Sequence, residues 1–469
     1  MPRRNFLAVG VAILLFAGPA QAATGLDGAT MSWPWALPFL GILLSIVTGP
    51  LLFRKFWHHN YGKIAFAWAA LAIVPIAIFY GFEAAVAAFT HAMLAEYLSF
   101  IVLLFTLYTV AGGILITGNL RGTPGTNTAL LAFGTLIASF VGTTGAAMML
   151  IRPLLRANEK RKQNVHTVVF FIILVANVGG ALTPLGDPPL FLGFLRGIDF
   201  FWTARNLWLQ TVIVAVPLLA LFLVVDTWFY RREQPERTRR EVRIRVRGGV
   251  NLVLIALVIV SILVSAAWKP ELGFTVLGTR VELQNIMRDG ALIGIAFLSL
   301  WLTSDEHRQA NGFTWEPIRE VAKLFAGIFV AIIPVLAMLH AGRNGLFSFL
   351  LQAITDANDQ PRDIAYFWLT GVLSAFLDNA PTYVVFFELA GGDPKQLMGP
   401  LAGTLAAISM GAVYMGALTY IGNAPNFMVY AIAEEQGVKM PSFFGYLLWA
   451  SLVLIPFLLL ISLLPVPPL

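Results

Sequence analysis

The chain has 469 residues, 58% of them hydrophobic and 12% charged, with a mean hydropathy of +0.78. Soluble domains carry about a quarter charged residues, so this composition excludes one and predicts an all-α polytopic membrane protein, the helix being the fold that satisfies its own backbone in lipid. There is no cysteine, which excludes disulfides and thiolate metal sites, and the net charge of +6 lies in short loops between apolar runs, as a topology signal rather than a nucleic-acid footprint.

The N-terminus reads MPRRNFLAVGVAILLFAGPAQAATG, a positive n-region, an apolar run and Ala20-Gln21-Ala22. This predicts a signal-peptide-like segment over 1–22, cut after Ala22 or kept as a first anchor. Either fate leaves residues 23–33 outside. Runs long enough to span the bilayer follow near 34–53, 64–82, 98–117, 206–226, 249–268, 288–303, 322–341 and 444–464. Two more, 166–196 and 399–432, contain clusters of Gly and Pro. The apolar pairs 128–151 and 363–390 are interrupted at their middles and read as straight spans or as re-entrant hairpins.

Charge favours hairpins. With both taken so, the inside loops hold 20 Lys and Arg and the outside loops 7. The run Arg231 to Arg247, with eight arginines, then lies inside, as the positive-inside rule requires. A straight 128–151 would put that run outside. The expected domains are therefore a first half over 34–226, an Arg-rich cytoplasmic linker over 227–248 and a second half over 249–469. Hairpin one enters from the cytoplasm and hairpin two from the periplasm, so the halves are inverted repeats.

Direct repetition supports two copies of one unit. GGALTPLGDPPLFL, Gly179 to Leu192, returns as GALTYIGNAPNFM, Gly416 to Met428, at an offset of 236 residues, and seven of twelve positions between Gly180 and Phe191 are identical. SFVGTTGA, Ser139 to Ala146, aligns at the same offset with AFLDNAPT, Ala375 to Thr382. Paired broken segments at matching positions are the pattern of a carrier's binding site.

A broken helix frees carbonyls and amides, which must line a protein cavity or bind something. Glycine permits the turn, proline blocks repair of the helix, and the half-helix dipoles point at the gap. The candidate ion- or substrate-binding residues are Gly142, Thr143 and Thr144 in the first hairpin and Thr183, Gly186 and Asp187 in the first break. In the second unit they are Asp378, Asn379 and Thr382 in the hairpin and Thr419, Gly422, Asn423 and Asn426 in the break. Hydroxyl and carbonyl oxygens suit a small hard cation. A carboxylate at bilayer depth holds either a proton or a metal ion, which is the chemistry of exchange. Asp378, beside Asn379 at a hairpin tip, is expected to carry the coupled cation and proton, with Asp187 as partner; both are the expected Na+ ligands. The alternative is that each aspartate caps a half-helix. His340 reads as a wet interfacial residue or a proton relay, and Glu388 as lying near the outer mouth of the second hairpin. No P-loop, HExxH pattern or nucleophile elbow is present, so no catalytic residue and no cofactor is expected.

GGALTPLGDPP and SAFLDNAPT, with the weaker echoes SFVGTTG and GNAPN, resemble the ion transporter superfamily over residues from about 34 to 465. That group includes NhaD-type sodium:proton antiporters, arsenite carriers and citrate or dicarboxylate carriers. The resemblance implies a scaffold domain, often dimeric, and a transport domain that moves across the bilayer. It implies a homodimer in a bacterial inner membrane. The dicarboxylate carriers place Ser-Asn-Thr at both hairpin tips; here the tips read Gly142-Thr143-Thr144 and Asp378-Asn379-Ala380, with no arginine. A fixed aspartate repels a dianion, so sodium:proton antiport is the expected activity and a cation-coupled citrate or dicarboxylate transporter the alternative.

Overall fold

The computed structural model describes residues 26–233, 242–358 and 360–464. The signal-peptide-like segment and residues 234–241 of the linker lie outside them. Nine helices among the described residues are long and apolar enough to cross a membrane: Trp33–Leu52, Arg54–Phe79, Phe82–Gly112, Pro124–Val141, Trp202–Glu233, Val250–Ala267, Leu283–Leu302, Glu316–His340 and Phe443–Ser462. The protein is an all-α polytopic membrane protein.

Helix runs further than apolarity alone suggests. Residues 54–63 and 83–97, expected as loops, are helical extensions of their neighbours. FEAAVAAFTHAMLAEY is rich in Ala, which favours helix whatever the solvent. Its stretch Ala92–Tyr97 is a π-helix. Two small antiparallel strand pairs also interrupt the helical expectation. Leu115–Asn119 pairs with Val242–Arg247, and Gly273–Val276 with Thr279–Glu282. VRIRVR alternates with period two, which suits a strand and not a helix face. The first pair joins two loops that the charge pattern assigns to one side, as pairing demands.

The two interrupted pairs turn back on themselves. Pro124–Val141 ends at Gly142, whose φ of +80° reverses the chain into Thr143–Ala157, and the two helices pack together. A residue with a Cβ is strained at that φ. Asp363–Phe376 and Asn379–Leu389 are joined through extended Leu377 and Asp378 and also pack together. The two breaks follow one plan. Val165–Leu174 leads through a single 3-10 turn at Val178–Gly180 to Pro188–Leu195. Ala402–Met415 leads through Gly416–Leu418 to Ala424–Glu435. From Val168 to Leu174 the helix Val165–Leu174 is apolar all round and buried, as a helix in the protein interior must be.

Packing crosses between the units. The returning hairpin helix Asn379–Leu389 lies against Pro188–Leu195 of the first break, and Thr143–Ala157 lies against Ala424–Glu435 of the second. At its base the first hairpin is tied down by Asp226, which is fully buried and accepts from His166 Nε2 at 2.8 Å and Asn127 Nδ2 at 2.9 Å, with Arg161 Nη1 at 2.5 Å. A buried carboxylate persists only with such partners.

Candidate functional site

Four helix N-termini converge, those of Thr143–Ala157, Pro188–Leu195, Asn379–Leu389 and Ala424–Glu435. Their first residues or N-caps are Thr143, Asp187, Asn379 and Asn423. Asp187 lies at the meeting point and is 1% exposed. Its Oδ1 accepts from Thr143 Oγ1 at 3.0 Å and Asn423 Nδ2 at 3.0 Å, and its Oδ2 accepts from Asn379 Nδ2 at 2.5 Å. One carboxylate thus binds both hairpin tips and the opposite break. Asp187 makes no side-chain cap bond to its own helix. No Lys, Arg or His among the described residues forms an ion pair with it. The amide oxygen Oδ1 of Asn379, fully buried beside it, has no hydrogen-bond partner among the described residues.

Asp378 is placed differently. It is half-buried, N-caps Asn379–Leu389 by accepting from Ala380 N at 3.0 Å, and lines a cavity of about 360 Å³. Capping, one of the two roles its position allowed, is in use, while its exposed edge faces the cavity. The geometry puts Asp187 rather than Asp378 at the convergence.

The threonines of the breaks serve as struts. Thr183 Oγ1 donates to Ser139 O, and Thr419 Oγ1 donates to Ala375 O at 2.5 Å. Each hydroxyl also accepts from the amide two residues on, Leu185 N at 3.2 Å and Ile421 N at 3.3 Å. Thr382 Oγ1 donates to Asp378 O at 2.9 Å within its own helix. None of these three hydroxyls reaches the Asp187 carboxylate. Gly186 and Gly422 allow each break to close on itself: an added Cβ would sit 2.1 Å from Gly180 O at the first and 2.6 Å from Gly416 O at the second. Gly142 lets Thr143 N donate to Gly186 O at 2.8 Å, which joins hairpin to break. Thr144 is half-buried and lines, with Thr143, Gly186 and Asp187, a smaller cavity of about 70 Å³.

Asn426 belongs to an amide relay that sequence reasoning left out. Asn177 Nδ2 donates to Asn426 Oδ1 at 2.7 Å, and Asn177 Oδ1 accepts from Asn423 Nδ2 at 3.3 Å. Asn177 thus reaches from the first break into the second and steadies the amide that holds Asp187. Its signal in the sequence is one amide in a long apolar run directly before Val178-Gly179-Gly180.

The two cavities are neighbours, and Tyr108, Pro317, Val321, Ala424 and Met428 line both. The larger is lined by the carboxyl-bearing Glu316, Glu320, Asp378 and Glu435 against the one guanidinium of Arg152. Glu316 and Glu320 lie one turn apart and are held by Tyr61 OH at 3.0 Å and Trp57 Nε1 at 3.0 Å. Trp57, Arg152, Gly312 and Glu435, which line the larger cavity, belong to segments that the charge pattern assigns to the inside.

A family model described as putative citrate transport matches residues 28–466. An uncharacterized transporter of Mycobacterium tuberculosis is 26% identical over 333 residues, 68% of this chain and 72% of that protein. An uncharacterized transporter of Synechocystis is 23% identical over 427 residues, covering 85% of both chains. The Na+/H+ antiporter NhaD of Alkalimonas amylolytica is 24% identical over 357 residues, 71% of this chain and 66% of that protein.

Proposed function

The chain belongs to the putative citrate transport family and is a multi-pass membrane transporter of the ion transporter superfamily, and from that premise we propose that it exchanges Na+ for H+ by alternating access. One observation carries the reading. Among the described residues Asp187 is a buried carboxylate with three neutral donors, no basic partner and an orphaned amide oxygen beside it. A buried carboxylate is costly when ionised and bare, so it takes up either a proton or a cation. The four helix N-termini, with their positive dipole ends, stabilise its negative charge. Asp187, Asn379 Oδ1 and Thr143 Oγ1 form a hard-oxygen set that suits Na+. Asp378 receives the ion from the acidic cavity and is the second titrating group. The halves, inverted in the bacterial inner membrane, present this centre to each side in turn.

A second reading, a cation-coupled citrate or dicarboxylate carrier, is favoured by two features. Converging helix N-termini also suit a substrate carboxylate, and Arg152 lines the larger cavity. The four carboxylates around Arg152 weigh against a di- or trianion.

Proteoliposomes separate the two. Sodium pulses are expected to move protons in proteoliposomes of the wild type, with the effect lost in Asp187→Asn although the variant inserts and melts normally. Near-normal exchange by Asp187→Asn, or sodium-dependent uptake of labelled citrate without proton exchange, would overturn the antiport reading.

A further inference from the structure

A second polar cluster lies at the other end of the converging helices. Arg196 follows Pro188–Leu195 directly, and Glu388 is the penultimate residue of Asn379–Leu389. Both therefore sit roughly 12–15 Å along the helix axis from the N-termini at Asp187, at 1.5 Å per residue. Arg196 Nη2 donates to both oxygens of Glu96 at 2.9 Å, and its Nε donates to Glu388 Oε1 at 3.3 Å. His340 Nε2 lies 2.8 Å from Glu388 Oε2. The Arg196, Glu96 and Glu388 side chains are 10%, 17% and 10% exposed, and His340 is 62% exposed.

The order of this chain of charges matters. Arg196 and Glu388 belong to the break and hairpin that form the candidate site. Glu96 belongs to the π-helical stretch of Phe82–Gly112, and His340 ends Glu316–His340. The outer two links therefore join the site-bearing helices to the surrounding spans, and the inner link stays within the site-bearing helices. All four residues lie in or beside loops that the charge pattern assigns to the outside, whereas Trp57, Arg152, Gly312 and Glu435 of the acidic cavity belong to segments assigned to the inside.

We propose that Glu96–Arg196 and His340–Glu388 form a latch that closes the transporter on the side opposite the cavity and parts at each turnover. The proposal rests on the alternating-access reading above. A part-buried ion pair contributes little net stability, yet leaving one partner bare is strongly unfavourable. Half-open arrangements are thereby penalised, which favours two discrete states. When the outer links part, Arg196 and Glu388 still neutralise each other inside the moving element, while Glu96 and His340 turn to water. The π-helical stretch lets a helix depart locally from its regular register, a feature often found at functional sites.

The absence of cysteine gives a clean background for the test. Ala424 lines both cavities beside Asn423, so Ala424→Cys reports which face reaches the site. In oriented vesicles an impermeant maleimide is expected to label it from the cavity face. Adding Glu96→Gln, or His340→Ala at the exposed end of the cluster, is expected to raise labelling from the opposite face about tenfold and to lower it from the cavity face, within the usual range of coupling between conformational states. Labelling unchanged by both substitutions, in protein that melts as the parent does, overturns the latch. The readout needs no transported species. It therefore fails while sodium:proton exchange stands, or succeeds while the cargo proves to be a carboxylate.

Discussion

In the first unit Thr183 donates to the hairpin carbonyl of Ser139, and in the second Thr419 donates to that of Ala375, at the same 236-residue offset in donor and acceptor. Gly186 and Gly422 pass close to Gly180 and Gly416 in the same way. Where the units differ is charge. The first has its carboxylate in the break, at Asp187, and glycine at the hairpin turn, Gly142. The second has an amide in the break, Asn423, and its carboxylate at the hairpin turn, Asp378. A common backbone device thus frees the same groups twice, and single substitutions at equivalent positions make the two halves chemically unlike. Only the first carboxylate is fully enclosed by both units.

The largest expected effect comes from erasing that difference. Asp187→Asn gives both breaks an amide, and sodium-driven proton movement should fall by at least about a hundredfold, nearly 3 kcal/mol at 1.36 kcal/mol per factor of ten. Exchange measured with a pH-sensitive dye in sealed vesicles reads it. The converse, Asn423→Asp, sets a second carboxylate where an amide now lies 3.0 Å from Asp187. Two carboxylates so close do not both ionise, so the pair should retain a proton to higher pH and require more sodium to release it. A sodium titration of proton release at two pH values checks the shift. Asp378→Asn keeps the cap, since Asn caps about as well as Asp, and removes titration at the cavity. Exchange should drop by about tenfold with an unchanged melting temperature; a wild-type rate would remove Asp378 from the path.

Smaller effects test the shared backbone. Gly186→Ala meets Gly180 O at 2.1 Å and Gly422→Ala meets Gly416 O at 2.6 Å, both backbone atoms that cannot swing aside. Each should destabilise by about 1–3 kcal/mol as overpacked sites do, the first more than the second, in thermal melts of purified protein. Thr183→Val and Thr419→Val each leave a buried carbonyl unpaired, at about 1–3 kcal/mol. Near-equal losses are expected because the bonds are equivalent, and unequal ones would show that the two breaks do not share one scaffold.

Sequence alone determined the class of the molecule and its repetition. Composition decides solvent, because 12% charge over 469 residues leaves no way to be water-soluble, and lipid then dictates helices. Repetition is legible because seven shared residues at one offset are a comparison of letters, requiring no coordinates. Loop charge and apolarity were weaker guides to extent. Residues 83–97 lack the apolarity of a span yet continue a helix, since alanine-rich sequence is helical in water or lipid, and VRIRVR makes a strand only because Leu115–Asn119 lies within reach.

Which of the chosen polar groups meet was decided by tertiary structure. Asp187, Thr143, Asn379 and Asn423 were legible as candidates because each is a polar residue at a break, but equal in kind to Thr183, Thr382 and Thr419. Their difference lies in direction: the first four point to one centre, the last three to nearby backbone. The partners of Asn177 and the links of the Glu96–Arg196–Glu388–His340 chain were not legible for the same reason. A hydrogen bond across 249 residues, as from Asn177 to Asn426, depends on how helices cross, and crossing angles are set by the whole packed interior rather than by any local run of residues.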